Sequence, residues 1–277
     1  MPRGWLTFAL RLRSVSTLPL AVPARRAAPR AGRAPLRPVA GVSNETRDTN
    51  TDSSAGLAAW TLANTAVAAL LCGAALGAVQ LPAFVPFSLT PAEHARGVLM
   101  ACIIGTRAAS QVAWGWLYRT YTLSVGFALA INAANLVFDT IALASACAPG
   151  LPALASDAVA LAGAALFVAG TLLERVPEAQ RAAFKAQPGN KGKPHLGGLF
   201  AVARHINYTG YTLWRVGAML AGRGWLPWSL LPVAGLLFGG FPAEVAAQRE
   251  RNLAKYGRTG AYADYVRDTK ALIPGVW

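Results

Sequence analysis

Long apolar runs, set apart by charged or proline-rich breaks, constrain this chain more than any other feature. The first, Leu57 to about Gln80, is rich in alanine and leucine and carries no charge. Arg96 to Tyr118, Tyr121 to Cys147 and Ala158 to Leu173 follow, and then two shorter runs, about Tyr208 to Ala221 and Trp225 to Phe241. A hydrocarbon core about 30 Å thick asks for roughly 20 helical residues per crossing, since a chain in lipid must satisfy its backbone polar groups internally. The runs therefore predict an all-α, polytopic membrane helix bundle of about six transmembrane helices, followed by a C-terminal amphipathic helix. Composition agrees, because 54% of the 277 residues are hydrophobic and 14% are charged, too apolar a balance for a soluble domain.

The net charge of +14 could suggest a nucleic-acid partner, but its distribution argues otherwise. Arg3, Arg11, Arg13, Arg25, Arg26, Arg30, Arg33 and Arg37 crowd the first forty residues, where no acid precedes Glu45. That is the composition of an organellar transit peptide, mitochondrial on the simplest reading, with the endoplasmic reticulum as the alternative location. Most remaining cations flank apolar runs. The N-terminus, the Arg119 turn, the basic Glu174 to Arg204 connection and the tail all fall on one side of the bilayer, which follows the positive-inside rule. The opposite connections, Leu81 to Ala95 and Ala148 to Asp157, carry almost no positive charge. The expected organisation is a basic leader over 1–40, a polar linker over 41–56, a four-span part over 57–173 and a two-span C-terminal domain over 174–277. Pro82 and Pro86 end the first run, Pro149, Gly150 and Pro152 end the third, and Trp114, Trp116 and Tyr118 suit an interfacial aromatic belt.

Chemistry concentrates in few places. No Gly-x-Ser-x-Gly elbow, His-Glu-x-x-His pair or Gly-x-Gly-x-x-Gly turn is present, and Gln187 to Pro194 is only a near miss for a phosphate loop. His94, His195 and His205 have no metal-like spacing with one another or with Cys72, Cys102 and Cys147, so no metal site is expected and the cysteines read as small buried hydrophobes. In the third run Asn132, Asn135 and Asp139 recur at i, i+3 and i+7, on one helical face. Such a stripe faces a bundle interior, either as interhelical glue, with Asp139 paired to Arg107 or Arg215, or as the polar wall of a substrate cavity. The densest stretch is Gly197 to Gly217, with Arg204, His205, Asn207, Tyr208, Tyr211, Trp214 and Arg215. A second cluster runs from Glu244 to Tyr265. One apolar run separates the two, so both can meet at the same membrane surface.

Arg204-His205-Ile206-Asn207-Tyr208-Thr209-Gly210 resembles the Arg-His-Pro-x-Tyr-x-Gly segment of isoprenylcysteine carboxyl methyltransferases and of proteins with the steroid 5-alpha-reductase C-terminal domain. Asn207-Tyr208 is similar to the Pro-Asn-Tyr-x-Gly of the reductase branch. Tyr256-Gly257, Tyr262, Tyr265 and Thr269 to Pro274 resemble the ending of the same group. The resemblance covers roughly Gly197 to Pro274. Ile206 stands where the group has proline, and Tyr211 where the reductase branch often has glutamate. The resemblance implies a C-terminal domain that binds NADPH or, in the other branch, S-adenosylmethionine, with a lipid-like substrate entering from the bilayer.

The resulting expectation is an NADPH-dependent reductase acting on a C=C bond of a steroid-, sterol- or enone-type substrate. The alternatives are an S-adenosylmethionine-dependent methyltransferase and a non-catalytic membrane protein. Arg204, Arg249 and Arg251 suit phosphates, while His205, Asn207, Tyr208, Tyr211, Tyr262 and Tyr265 complete the candidate cofactor contacts. Tyr208, Glu244 and Asp139 are the catalytic candidates. Residues 1–50 fused to a soluble fluorescent reporter should direct it to mitochondria; a diffuse or endoplasmic-reticulum signal would defeat that expectation.

Overall fold

The computed structural model describes residues 54–82, 93–118, 123–148, 153–223 and 240–273, together with Leu89, Leu151 and Ala234. The basic leader, nearly all of the linker, the Arg119-Thr120 turn, the Pro149-Gly150 break and nearly all of the sixth run lie outside the described residues. Seven α-helices occur among those described: α1 (Ser54–Ala75), α2 (His94–Ala113), α3 (Val125–Ala146), α4 (Ala158–Ala186), α5 (Ile206–Ala221), α6 (Phe241–Tyr256) and α7 (Ala261–Asp268). A π-helical turn, Trp114–Tyr118, continues α2. Four of these helices are long and apolar enough to cross a membrane: α1, α2 with its π turn, α3 and α4.

Local chemistry sets several boundaries. Ser124 caps α3 by accepting from the Phe127 amide at 3.1 Å, and Asp157 caps α4 by accepting from the Ala160 amide at 3.1 Å; both satisfy amides that a helix start leaves open. α1 ends at Ala75, before the Gln80 expected from composition, where the chain turns through Gly77 at φ 77°. α4 does not stop at Leu173. It runs on through buried Pro177 to Ala186, so the connection from Glu174 begins as helix rather than loop. The 16 residues of α5 reach about 24 Å, short of a full hydrocarbon core. The amphipathic tail divides into α6 and α7 at Gly257 and Gly260, whose φ values are 104° and 82°.

α4 and α5 pack antiparallel along a seam of glycines, Gly163 and Gly170 facing Gly210 and Gly217. A Cβ on Gly170 would lie 2.2 Å from the Trp214 nitrogen, and one on Gly210 would lie 2.3 Å from the Glu174 nitrogen. Small residues at such a seam let two backbones approach, which replaces the hydrophobic driving force that lipid does not supply. The main core joins Leu71, Met100, Ile104, Phe138, Leu143, Phe167, Trp214 and Met219 from α1 to α5. Leu62, Leu129, Val137, Val168 and Leu172 are exposed, as lipid-facing positions should be.

Two aromatic and thiol expectations change. Trp114 does not belong to an interfacial belt; it is buried against Trp60, with ring centroids 5.6 Å apart, while Trp116 is exposed and donates from Nε1 to Thr61 Oγ1 at 3.0 Å. Cys147 is buried, Cys72 is half-buried and Cys102 is exposed on the surface of α2. The helical period places it on the outer face.

Because the α4–α5 seam has no room for a methyl group, Gly170→Ala should cost about 1–3 kcal/mol, the usual penalty for overpacking a close contact. Thermal unfolding in neutral detergent measures it, and an unchanged melting temperature would refute the seam.

Candidate functional site

The residues before α5 are held by the C-terminal tail rather than by their own helix. The Arg204 amide donates to the Lys270 carbonyl at 2.9 Å and the His205 amide to the Ala271 carbonyl at 2.8 Å. Thr209 Oγ1 donates to the Leu272 carbonyl at 2.6 Å. These bonds lay the tail against Arg204 to Thr209, so the two polar clusters meet at the end of the bundle where α5 begins.

Rings and polar groups then converge. The His205 and Tyr208 rings stack at 5.3 Å and 18°, and Tyr208 stacks in turn on Phe241 at 4.9 Å and 13°. Tyr211 meets Phe241 edge-on at 6.0 Å. Gln248 Nε2 donates to the Tyr208 hydroxyl at 2.5 Å and to Glu244 Oε1 at 2.9 Å. Arg251 Nη2 donates to the same Glu244 oxygen at 2.9 Å. Glu244 and Gln248 lie one turn apart on α6, which puts both on the face that meets Tyr208. Asn207 Nδ2 donates to Glu178 Oε1 at 3.1 Å, and Glu178 is buried and paired with Arg181. Since a carboxylate only accepts, Asn207 must turn its NH2 toward Glu178 and its carbonyl oxygen elsewhere.

The arginines divide. Arg204 Nη1 donates to the Val266 carbonyl at 2.9 Å, while its Nε is buried with no hydrogen-bond partner. Burial lowers the Arg204 pKa, with Tyr265 opposing and Arg249 adding to the effect. Arg249 is exposed, and Arg251 is occupied by Glu244. Tyr262 is buried. The Tyr265 hydroxyl donates to the Phe200 carbonyl at 2.7 Å, so this phenol braces the fold. Burial raises the pKa of both tyrosines.

Asn132, Asn135 and Asp139 lie inside the bundle, joined to this end through Arg215, whose Nη2 also donates to the Tyr211 hydroxyl at 3.4 Å. Asp139 sits between two cations, 2.7 Å from Arg107 Nε and 3.2 Å from Arg215 Nη1. Arg215 Nη2 donates to Asn135 Oδ1 at 2.5 Å, Arg107 Nη1 donates to Asn64 Oδ1 at 3.0 Å, and Asn132 Nδ2 donates to the Ala128 carbonyl at 2.9 Å. Asp139 and Asn135 thus bind protein groups in a packed interior. Sequence reasoning missed Glu178, Gln248 and Phe241; the Glu244-x-x-x-Gln248 spacing was the one usable signal.

Fold and site together define a polytopic helical membrane protein whose polar and aromatic groups gather at one end of the bundle. Residues 113–269 match the family described as protein of unknown function (DUF1295), and the chain belongs to that family. Among curated proteins, a probable O-methyltransferase, ustE, of Ustilaginoidea virens is 39% identical over 106 residues, which is 35% of this chain and 37% of that protein. The chain therefore spans little more than a third of the relative's length. No solved structure matches at a significant level.

Burial holds His205 at a pKa of about 4, against 6.5 for a free imidazole, with Arg204 contributing and Glu244 opposing. The fold therefore prefers the neutral ring, and as pH falls below about 6.5 the unfolded chain takes up the proton first. This contribution to stability is complete above pH 6.5 and declines as pH falls toward 4, by about 3 kcal/mol in all. Melting temperatures at pH 7.5 and 4.5 should show a larger drop in the native protein than in His205→Gln; equal drops would contradict the assignment.

Proposed function

We propose that this protein is a membrane-embedded reductase that uses NADPH to saturate a C=C bond conjugated to the carbonyl of a lipid-like, steroid-, sterol- or enone-type substrate. The observation that carries the reading is the Tyr208 hydroxyl held by Gln248, beside the His205–Tyr208–Phe241 stack and within the Asn207-Tyr208 resemblance to the reductase branch. The residues present fit the cofactor: Arg204 has a buried nitrogen without a hydrogen-bond partner, Arg249 is exposed close by, and guanidinium groups suit phosphates. When bound, the nicotinamide supplies a hydride.

The chain's own residues would do the rest. A phenol that accepts a hydrogen bond becomes a better donor, so Gln248 strengthens Tyr208 as the group that polarises the substrate carbonyl. Glu244 orients Gln248 and Arg251 fixes Glu244. His205, neutral near pH 7, offers a flat ring rather than a charge. The basic, acid-free residues 1–40 support a mitochondrial membrane as the location, with the endoplasmic reticulum as the alternative.

A second reading, an S-adenosylmethionine-dependent methyltransferase, draws support from the relative named as a probable O-methyltransferase and from Glu244, a carboxylate suited to a ribose. Thermal-shift titration of the purified protein in detergent separates the two. NADPH should raise the melting temperature, Arg204→Ala should weaken its binding by about tenfold or more, and Tyr208→Phe should bind NADPH normally yet lose turnover by about a hundredfold. Stabilisation by S-adenosylmethionine alone would reverse the ranking.

A further inference from the structure

A narrow cleft between α2, α4 and α5 lies deeper in the bundle than the site above. Arg107, Ser110, Gln111, Thr171, Glu174 and Arg175 line it, with the Phe167 and Trp214 rings. In this packed conformation it is too narrow to admit water. Arg107 is 3% exposed; its Nε faces Asp139, its Nη1 donates to Asn64, and its Nη2 has no hydrogen-bond partner. A buried guanidinium N–H with no protein acceptor is costly, by about 1–3 kcal/mol or more for a charged group.

Charge points the same way. Three guanidiniums face this region, Arg107 from α2, Arg175 from α4 and Arg215 from α5, against two carboxylates, Asp139 from α3 and Glu174 from α4. The Glu178–Arg181 pair next to them is balanced. One positive charge is left over among apolar helices, where charges are expensive unless matched. Glu174 is spoken for as well: it accepts from Trp214 Nε1 at 2.8 Å and lies 3.3 Å from Arg175. Ser110 and Thr171 are half-buried and mark the side from which a ligand in the bilayer could enter, where Ser110 now accepts from Arg175 Nε at 2.7 Å.

We propose that this cleft binds the carboxylate head of a single-chain lipid, with one carboxylate oxygen accepting from Arg107 Nη2 and the alkyl chain lying along the exposed apolar face of α4. The head supplies the missing acceptor and the missing negative charge together, and it enters by displacing the Ser110–Arg175 hydrogen bond. A neutral head would satisfy the N–H but leave the excess charge. This site is independent of which cofactor occupies the end of the bundle.

The test uses the full chain in dodecyl maltoside, with oleate and oleyl alcohol as probes and no cofactor added, so it is separate from the NADPH titration. Oleate should raise the melting temperature saturably and oleyl alcohol should not. Thr171→Leu, which fills the cleft without touching the Asp139 triad, should weaken oleate binding by about tenfold or more. Glu174→Gln, which removes the repelling carboxylate, should tighten it by about threefold or more. Equal stabilisation by the alcohol, or full oleate binding in Thr171→Leu, overturns the proposal. If Thr171→Leu does not fold, Glu174→Gln decides alone: oleate binding that is unchanged or weaker there overturns it too.

Discussion

The structure depends on how charges are matched inside an apolar bundle. Asp139 is the pivot: its two oxygens face Arg107 of α2 and Arg215 of α5, while Asn135 adds a second acceptor to Arg215 and Asn64 of α1 one to Arg107. Four helices are thereby tied at one level. Removing one partner of such a cluster typically costs about 3–5 kcal/mol, because a buried charge is left behind. The Arg215 guanidinium also lies 4.2 Å from the Trp214 ring and 4.4 Å from the Phe138 ring, so it is held by ring faces as well as by oxygens. A second cluster repeats the device at the far end, where Asp157 pairs at 2.6 Å with both Arg96 and Arg223. Together these clusters fix which helices are neighbours, which propensity alone leaves open.

Once the bundle is fixed, the glycine seam places the chemistry. It holds α4 and α5 backbone to backbone, and α4 then continues beyond the apolar part to Ala186. That extension carries Glu178 to the start of α5, where it can orient Asn207. The tail closes the arrangement by hydrogen-bonding to Arg204, His205 and Thr209, and α6 brings Glu244, Gln248 and Arg251 against Tyr208. Polar groups that would be costly in lipid are gathered where the helices emerge, and several pair across elements, Asn207 with Glu178, Gln248 with Tyr208 and Tyr265 with Phe200.

Membership of a family of unknown function leaves the reaction to be argued from these residues. Tyr208 is the point where the hydrogen-bond network, the stacked rings and the resemblance to the reductase branch coincide. The phosphate-seeking arginines support NADPH, and Glu244 supports the methyl donor. Either chemistry would use the same rigid end of the bundle, since sites built on helices and locked by neighbouring hydrogen bonds hold their geometry well.

The sequence by itself determined that the chain is helical and membrane-embedded, because long apolar runs in lipid have few backbone solutions. It also determined that Asn132, Asn135 and Asp139 share one helical face, because that follows from the helical period alone. Only the tertiary structure decided that Asp139 is shared by two arginines, that Trp114 is core rather than belt, that α4 outlasts its apolar run, and that Glu178 and Gln248 belong beside Asn207 and Tyr208. A lone glutamate in a polar stretch reads as a solvated side chain until a helix far along the sequence is packed against it. Asn135 and Arg215 stand 80 residues apart, and Glu178 and Asn207 stand 29 apart. Such pairings depend on the order of helices in the bundle, and that order is set by charge matching and close glycine contacts that no local pattern contains.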